Sequence, residues 1–137
     1  NPNNIQLINK GLWDREDKLT FYESGSVGSS IFYEGENSKK QEIEVVSIDS
    51  FSENEKIENL NFIKMDIEGA EVEALEGAVK SIKKYSPNFA IASYHIVNDK
   101  PTYLALEDFF IRIGYPFITE FFDDGEIITY AGNNLKK

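Results

Sequence analysis

The sequence predicts an α/β fold with a mixed sheet, and three observations carry that prediction. Residues 62–67 (FIKMDI) and 88–94 (NFAIASY) are short, mostly apolar runs, as in strands covered on both faces. Between them, Val72, Leu75, Val79 and Ile82 recur at helical spacing, joined by Ala74 and Ala78. Towards the C-terminus, residues 117–122 and 126–131 flank Asp123-Asp124-Gly125, as in an antiparallel hairpin. The order is a strand, a β-rich excursion, then β-α-β-α-β-β.

Residues 5–13 (IQLINKGLW) read as a strand, and 19–22 (LTFY) as a short second one. Residues 23–30 (ESGSVGSS) are flexible by composition, because Gly and Ser offer little to bury. Ile31-Phe32-Tyr33 resumes a strand, 35–40 form a polar turn, and 42–48 (EIEVVSI) form another strand. Residues 50–60 read as a charged loop with a helical turn. Residues 62–67 are the best central strand, followed by a helix over 68–85. Glu68, Glu71 and Glu73 lie in its first turns, where the helix dipole favours negative charge; Lys80, Lys83 and Lys84 lie in its last, with Pro87 just beyond. After the strand at 88–94, Asn98 or Asp99 caps a second helix with Pro101 near its first turn. Tyr103, Leu106, Phe110 and Ile113 form its apolar face, and Gly114 ends it. Residues 117–122 and 126–131 make the terminal hairpin. Phe109, Phe110, Phe117, Phe121 and Phe122 are expected in the core.

Residues 1–137 are the right length for one domain, and 41% hydrophobic and 13% aromatic residues argue for a packed globule. A formal net charge of −10 excludes a phosphate-tracking surface, so no nucleic-acid partner is expected, and it disfavours anionic membranes. No apolar run reaches the roughly 20 residues of a membrane span. With no cysteine, disulfides and thiolate metal sites are excluded, which fits a reducing, cytoplasmic setting.

Ligands of open α/β sheets bind beyond the C-terminal ends of the strands. Two polar clusters fall there: Asp66-Ile67-Glu68, and Tyr94-His95 with the only histidine. If their strands are parallel neighbours, Asp66, Glu68 and His95 face one cleft, able to remove a proton, position a hydroxyl or bind a metal. Plainer roles stand beside these: Asp66 as a helix cap, Glu68 as a complement to the helix dipole, and Glu71 and Glu73 as solvated or turn-stabilising groups. Lys64 is expected to pair with a nearby carboxylate. Gly69 and Gly77 are expected to allow close packing.

Lys64-x-Asp66-x-Glu68-Gly69-x-Glu71, after an apolar strand and before Leu75-x-Gly77-Ala78, resembles the signature of FkbM-type methyltransferases. Ser47-Ile48-Asp49, Ser86-Pro87 and Gly114-Tyr115 match further family elements in the same order. The resemblance implies a partial Rossmann-like class I methyltransferase sheet, mostly parallel with a C-terminal antiparallel hairpin. The half that carries the cofactor loop is absent, since Gly25-Ser26-Val27-Gly28 has the wrong glycine spacing. It also implies S-adenosylmethionine as cofactor and methylation of a hydroxyl on a small-molecule or glycan acceptor. On this reading Asp66 positions the cofactor or hydroxyl, His95 is base or acceptor contact, and Glu68 supports one of them; no metal is assigned. The alternative is a non-catalytic remnant or half-domain serving binding or assembly. Without the first strand, 62–67 would expose an apolar edge through which the chain self-associates as a homo-oligomer.

Overall fold

The computed structural model describes residues 4–23 and 39–135. The expectations for 24–38, including the Gly/Ser-rich stretch and the strand at Ile31-Phe32-Tyr33, lie outside the described residues.

The N-terminal part forms a three-stranded sheet ordered β1-β3-β2, from β1 (Gly11–Leu12), β2 (Asp17–Glu23) and β3 (Lys39–Val46). The strand expected over 5–13 is a strand only at its end. Ile5 and Leu7 are 74% and 91% exposed, and of this stretch only Gly11 and Leu12 pair with β3. Apolar sequence becomes a strand only where a neighbour takes up its backbone polar groups. Strand β3 starts earlier than expected, absorbing Lys39 and Lys40. It stops at Val46 because Ser47 caps the next helix, α1 (Ile48–Asn54), its Oγ accepting from Ser50 N at 3.0 Å. The loop expected over 50–60 is thus helical in its first part.

The helix expected over 68–85 is two helices. After β4 (Phe62–Met65), Glu68 and Gly69 have φ of 58° and 101°, which no right-handed helix tolerates. Helix α2 (Glu71–Glu76) follows, then a break at Gly77-Ala78, then α3 (Val79–Tyr85). A Cβ on Gly77 would lie 2.4 Å from the Trp13 carbonyl oxygen and 2.9 Å from Ser47 Cβ. Glycine is therefore required where the chain after β1 crosses the helical break. Asp49 ties α1 to α3: its carboxylate accepts from Lys80 N at 3.1 Å and Ser81 N at 2.7 Å, while its own N–H donates to Gly77 O at 2.8 Å.

Strand β5 (Asn88–Ala92) leads to a small hairpin of β6 (Ile96–Val97) and β7 (Lys100–Pro101). Asn98 and Asp99, expected as helix caps, form its turn instead. Both have positive φ, 51° and 61°, as the two central residues of a type I′ hairpin require. Helix α4 (Thr102–Ile113) begins directly after Pro101 and ends on left-handed Gly114. Strands β8 (Phe117–Phe121) and β9 (Ile127–Ala131) make the expected terminal hairpin.

The second sheet is ordered β4-β5-β9-β8, with β4 and β5 parallel in the register Phe62↔Asn88 to Met65↔Ile91. The sheets are mixed, not mostly parallel: among the described strands only β1·β3 and β4·β5 pair in parallel. Short turns at β6–β7 and β8–β9 can join only antiparallel neighbours, whereas the α2–α3 crossover permits the parallel pair β4·β5.

Helices α2, α3 and α4 cover one face of this sheet. Met65, Phe89, Ile91 and Ala131 pack there on Leu75, Ile82, Leu106, Phe109 and Phe110. The other face, with Phe62, Lys64, Ala90, Ala92 and Ile128, is half-buried or exposed, so β4 is not covered on both sides as expected. Nor is β4 central, having one strand neighbour among the described residues. Phe121 and Phe122, expected in the core, are 63% and 42% exposed, with Phe121 at the rim against Tyr103 of α4. Among the described residues no helix is long and apolar enough to cross a membrane.

Candidate active site

The parallel pairing of β4 and β5 brings their C-terminal ends side by side. Beyond β4 the chain turns sharply: Ala70 N donates to Ile67 O, and Glu68 holds a left-handed backbone. For a non-glycine residue that conformation costs on the order of 1–2 kcal/mol. It sets Glu68 on the same side as Asp66.

Beyond β5, three backbone hydrogen bonds fix His95. Ser93 N donates to Ile127 O at 2.8 Å, Tyr103 N to Ser93 O at 3.0 Å, and Thr102 N to His95 O at 2.8 Å. The start of α4 therefore clamps the segment. A buried hydroxyl chain reinforces it: Ser93 Oγ donates to Ile127 O, Thr129 Oγ1 donates to Ser93 Oγ, and the Thr119 hydroxyl lies 3.2 Å from that of Thr129.

The His95 side chain is 9% exposed and surrounded by carboxylates. Its Nε2 lies 3.5 Å from Asp66 Oδ1 and 3.8 Å from Glu68 Oε2; its Nδ1 lies 3.2 Å from Glu71 Oε1. None of the three contacts meets hydrogen-bond geometry, and they become ion pairs when the imidazole is protonated. Burial depresses the imidazole's affinity for a proton, but Glu71, Glu68 and Asp66 together outweigh it and hold His95 above its usual range. The Tyr94 ring lies against the imidazole, tilted by 38° with ring centroids 4.4 Å apart. Its hydroxyl is raised above the ordinary tyrosine value, first by burial and then by Asp66 and Glu68.

Glu71 is fully buried, and its Oε1 also accepts from Ile67 N at 2.9 Å. One carboxylate thus fixes both the turn after β4 and the imidazole after β5. Lys64 Nζ lies 3.7 Å from Asp66 Oδ2, the expected pairing, but on an exposed side chain.

Asp66 and Tyr94 line a cavity of about 270 Å³ with Lys64, Ala90, Ala92 and Glu126. A second, of about 630 Å³, is lined by Gly69, Val72 and Glu73 from the β4–α2 side and by Val97, Asn98 and Thr102 after His95. A third, of about 690 Å³, lies between α1 and α3 and contains none of these groups; Asp49 on its wall is already bonded to two amides. The cluster of titratable groups lies instead at the strand ends.

The model of the methyltransferase FkbM domain matches residues 2–124. The chain belongs to that family. The FkbM domain here is also similar to the crystal structure of methyltransferase FkbM from Methylobacillus flagellatus KT, with 25% identity and a TM-score of 0.63. That alignment covers 94% of this chain and 28% of the other, so the chain spans under a third of that relative's length. No curated protein matches the chain.

Within the FkbM domain, the structure brings together the three residues singled out from sequence, Asp66, Glu68 and His95. Glu71, expected to be solvated or turn-stabilising, is instead fully buried and contacts both the turn at Ile67 and the His95 ring. The signal was present as the last acidic position of the Asp66-x-Glu68-Gly69-x-Glu71 motif.

Proposed function

We propose that the protein transfers a methyl group from S-adenosylmethionine to a hydroxyl of a small-molecule or glycan acceptor. The observation that carries this reading is the convergence of Asp66, Glu68 and His95 at the ends of two parallel strands, held by Glu71. When bound, the cofactor supplies an electrophilic methyl group on a cationic sulfur. The residues fit that reacting end, because Asp66 and Glu68 offer carboxylates to a positive centre.

Asp66 positions the cofactor side or the acceptor hydroxyl, with Glu68 in support. With the cofactor held there, His95 Nε2 would take up the proton of the acceptor hydroxyl. Glu71 stabilises the imidazolium through Nδ1–H and keeps Nε2 turned outward. Alignment of the hydroxyl supplies the larger share, on the order of 7–11 kcal/mol, and the base about 10²–10⁴-fold.

One observation favours a second reading, an assembly module: β4 is an edge strand among the described residues, with Phe62 58% exposed. Incubation of the full chain with methyl-labelled S-adenosylmethionine and a panel of hydroxylated acceptors separates the two. Transfer of label to an acceptor oxygen is the expected result. Self-association without transfer to any acceptor would replace the enzyme reading with the assembly reading.

A further inference from the structure

We infer that Asp66, Glu68 and His95 form a binding site for one divalent cation, with Glu71 as its positioning residue. Three observations lead there. One ligand atom from each of the three residues lies within 4.8 Å of the other two. The separations from His95 Nε2, 3.5 and 3.8 Å, are long for hydrogen bonds. They do suit an ion between the atoms: bonds of about 2.1 Å at tetrahedral angles set ligands roughly 3.4 Å apart.

The second observation is the histidine. It is 9% exposed, makes no hydrogen bond through either nitrogen, and directs Nε2 at the two carboxylates. A buried polar atom is rarely left without a partner, and a bound ion is one of the few arrangements that supply one.

The third is the far side of the ring. Glu71 Oε1 sits 3.2 Å from Nδ1, on a fully buried carboxylate whose Oε2 has no hydrogen-bond partner. A carboxylate on one ring nitrogen fixes the tautomer and leaves the other nitrogen's lone pair for a metal. Three carboxylates around one imidazole also repel one another, and a doubly charged ion removes that repulsion.

Two carboxylate oxygens and one imidazole suit Mn²⁺, Fe²⁺ or Zn²⁺ better than soft, thiolate-seeking ions. The binding site stands on geometry alone. Its consequence rests on the methyl-transfer reading: with an ion bound, the cation rather than the imidazole lowers the proton affinity of the acceptor hydroxyl.

The test is a titration of the full chain with Mn²⁺, following loss of the free-ion signal by electron paramagnetic resonance. No S-adenosylmethionine or acceptor is present, so this inference and the methyl-transfer reading fail separately. One ion per chain is expected. Asp66→Asn and His95→Gln should each weaken binding at least about tenfold, and Glu71→Gln by about 10–100-fold. Glu120→Gln, remote on β8, should leave it unchanged. Asp66 is 40% exposed, so its variant keeps the test valid if substitution of buried Glu71 unfolds the domain, as circular dichroism would reveal. Absence of binding at millimolar Mn²⁺ would overturn the inference, as would binding indifferent to both Asp66→Asn and His95→Gln or equally weakened by Glu120→Gln.

Discussion

His95→Gln is expected to lower methyl transfer to a hydroxyl acceptor by about 10²–10⁴-fold while the domain stays folded. Glutamine approximates the volume of the imidazole and keeps a polar group among the carboxylates of Asp66, Glu68 and Glu71. The backbone bonds that anchor the segment, Thr102 N to His95 O and Ser93 N to Ile127 O, are untouched. What disappears is an imidazole, the group proposed as base, with a buried carboxylate facing its Nδ1. Single-turnover rates at saturating acceptor, with circular dichroism as the folding control, measure the effect. A loss below about threefold would remove His95 from the chemistry.

Phe110→Ala should produce the largest loss of stability, about 3–5 kcal/mol. Phe110 is fully buried where α4 meets the sheet, with Phe89, Phe109, Tyr115 and Phe117 all within 6.1 Å between ring centroids. Truncation leaves a cavity that rings fixed on four separate segments cannot refill. Phe121→Ala is the control: its ring is 63% exposed and meets Tyr103 at the rim, so a change of about 1 kcal/mol or less is expected. Urea unfolding of the two variants gives the comparison, and equal midpoints would contradict this account of the core.

Much of this was legible in the sequence because it is local. The periodicity of Val72, Leu75, Val79 and Ile82, the apolar run before Asp66 and the turn at Asp123-Asp124-Gly125 report short-range pattern, and the elements lie there. What the pattern hid depends on distant neighbours. The break at Gly77 follows from the backbone of Trp13 and Asp14 lying against it, a contact across some sixty residues that helical spacing does not register. Asn98-Asp99 suits a cap and a hairpin turn alike, and pairing of Ile96 with Pro101 decided for the turn. Residues 5–10 are as apolar as a strand, yet have no partner strand among the described residues.

The site was legible for the same reason and to the same depth. Asp66, Glu68 and His95 were found because each falls at the end of an apolar run. That they converge depends on the parallel register of β4 and β5, in which Met65 pairs with Ile91. Glu71 was undervalued because an acidic residue in a helix's first turn is usually solvated. Only the left-handed backbone at Glu68 turns α2 so that this carboxylate is buried under Ile67 N and the imidazole.

The central claim is that the strand-end cluster is where the protein acts, and Asp66→Asn tests it most directly. Asparagine keeps the size of the side chain and removes the charge that faces His95 Nε2 and Lys64 Nζ. Methyl transfer by the intact enzyme should fall by about tenfold or more while the domain stays folded, since a partly exposed charge pair of this kind contributes about 1 kcal/mol or less to folding. Unchanged turnover in Asp66→Asn would contradict the claim and leave Asp66 a structural residue of the turn after β4.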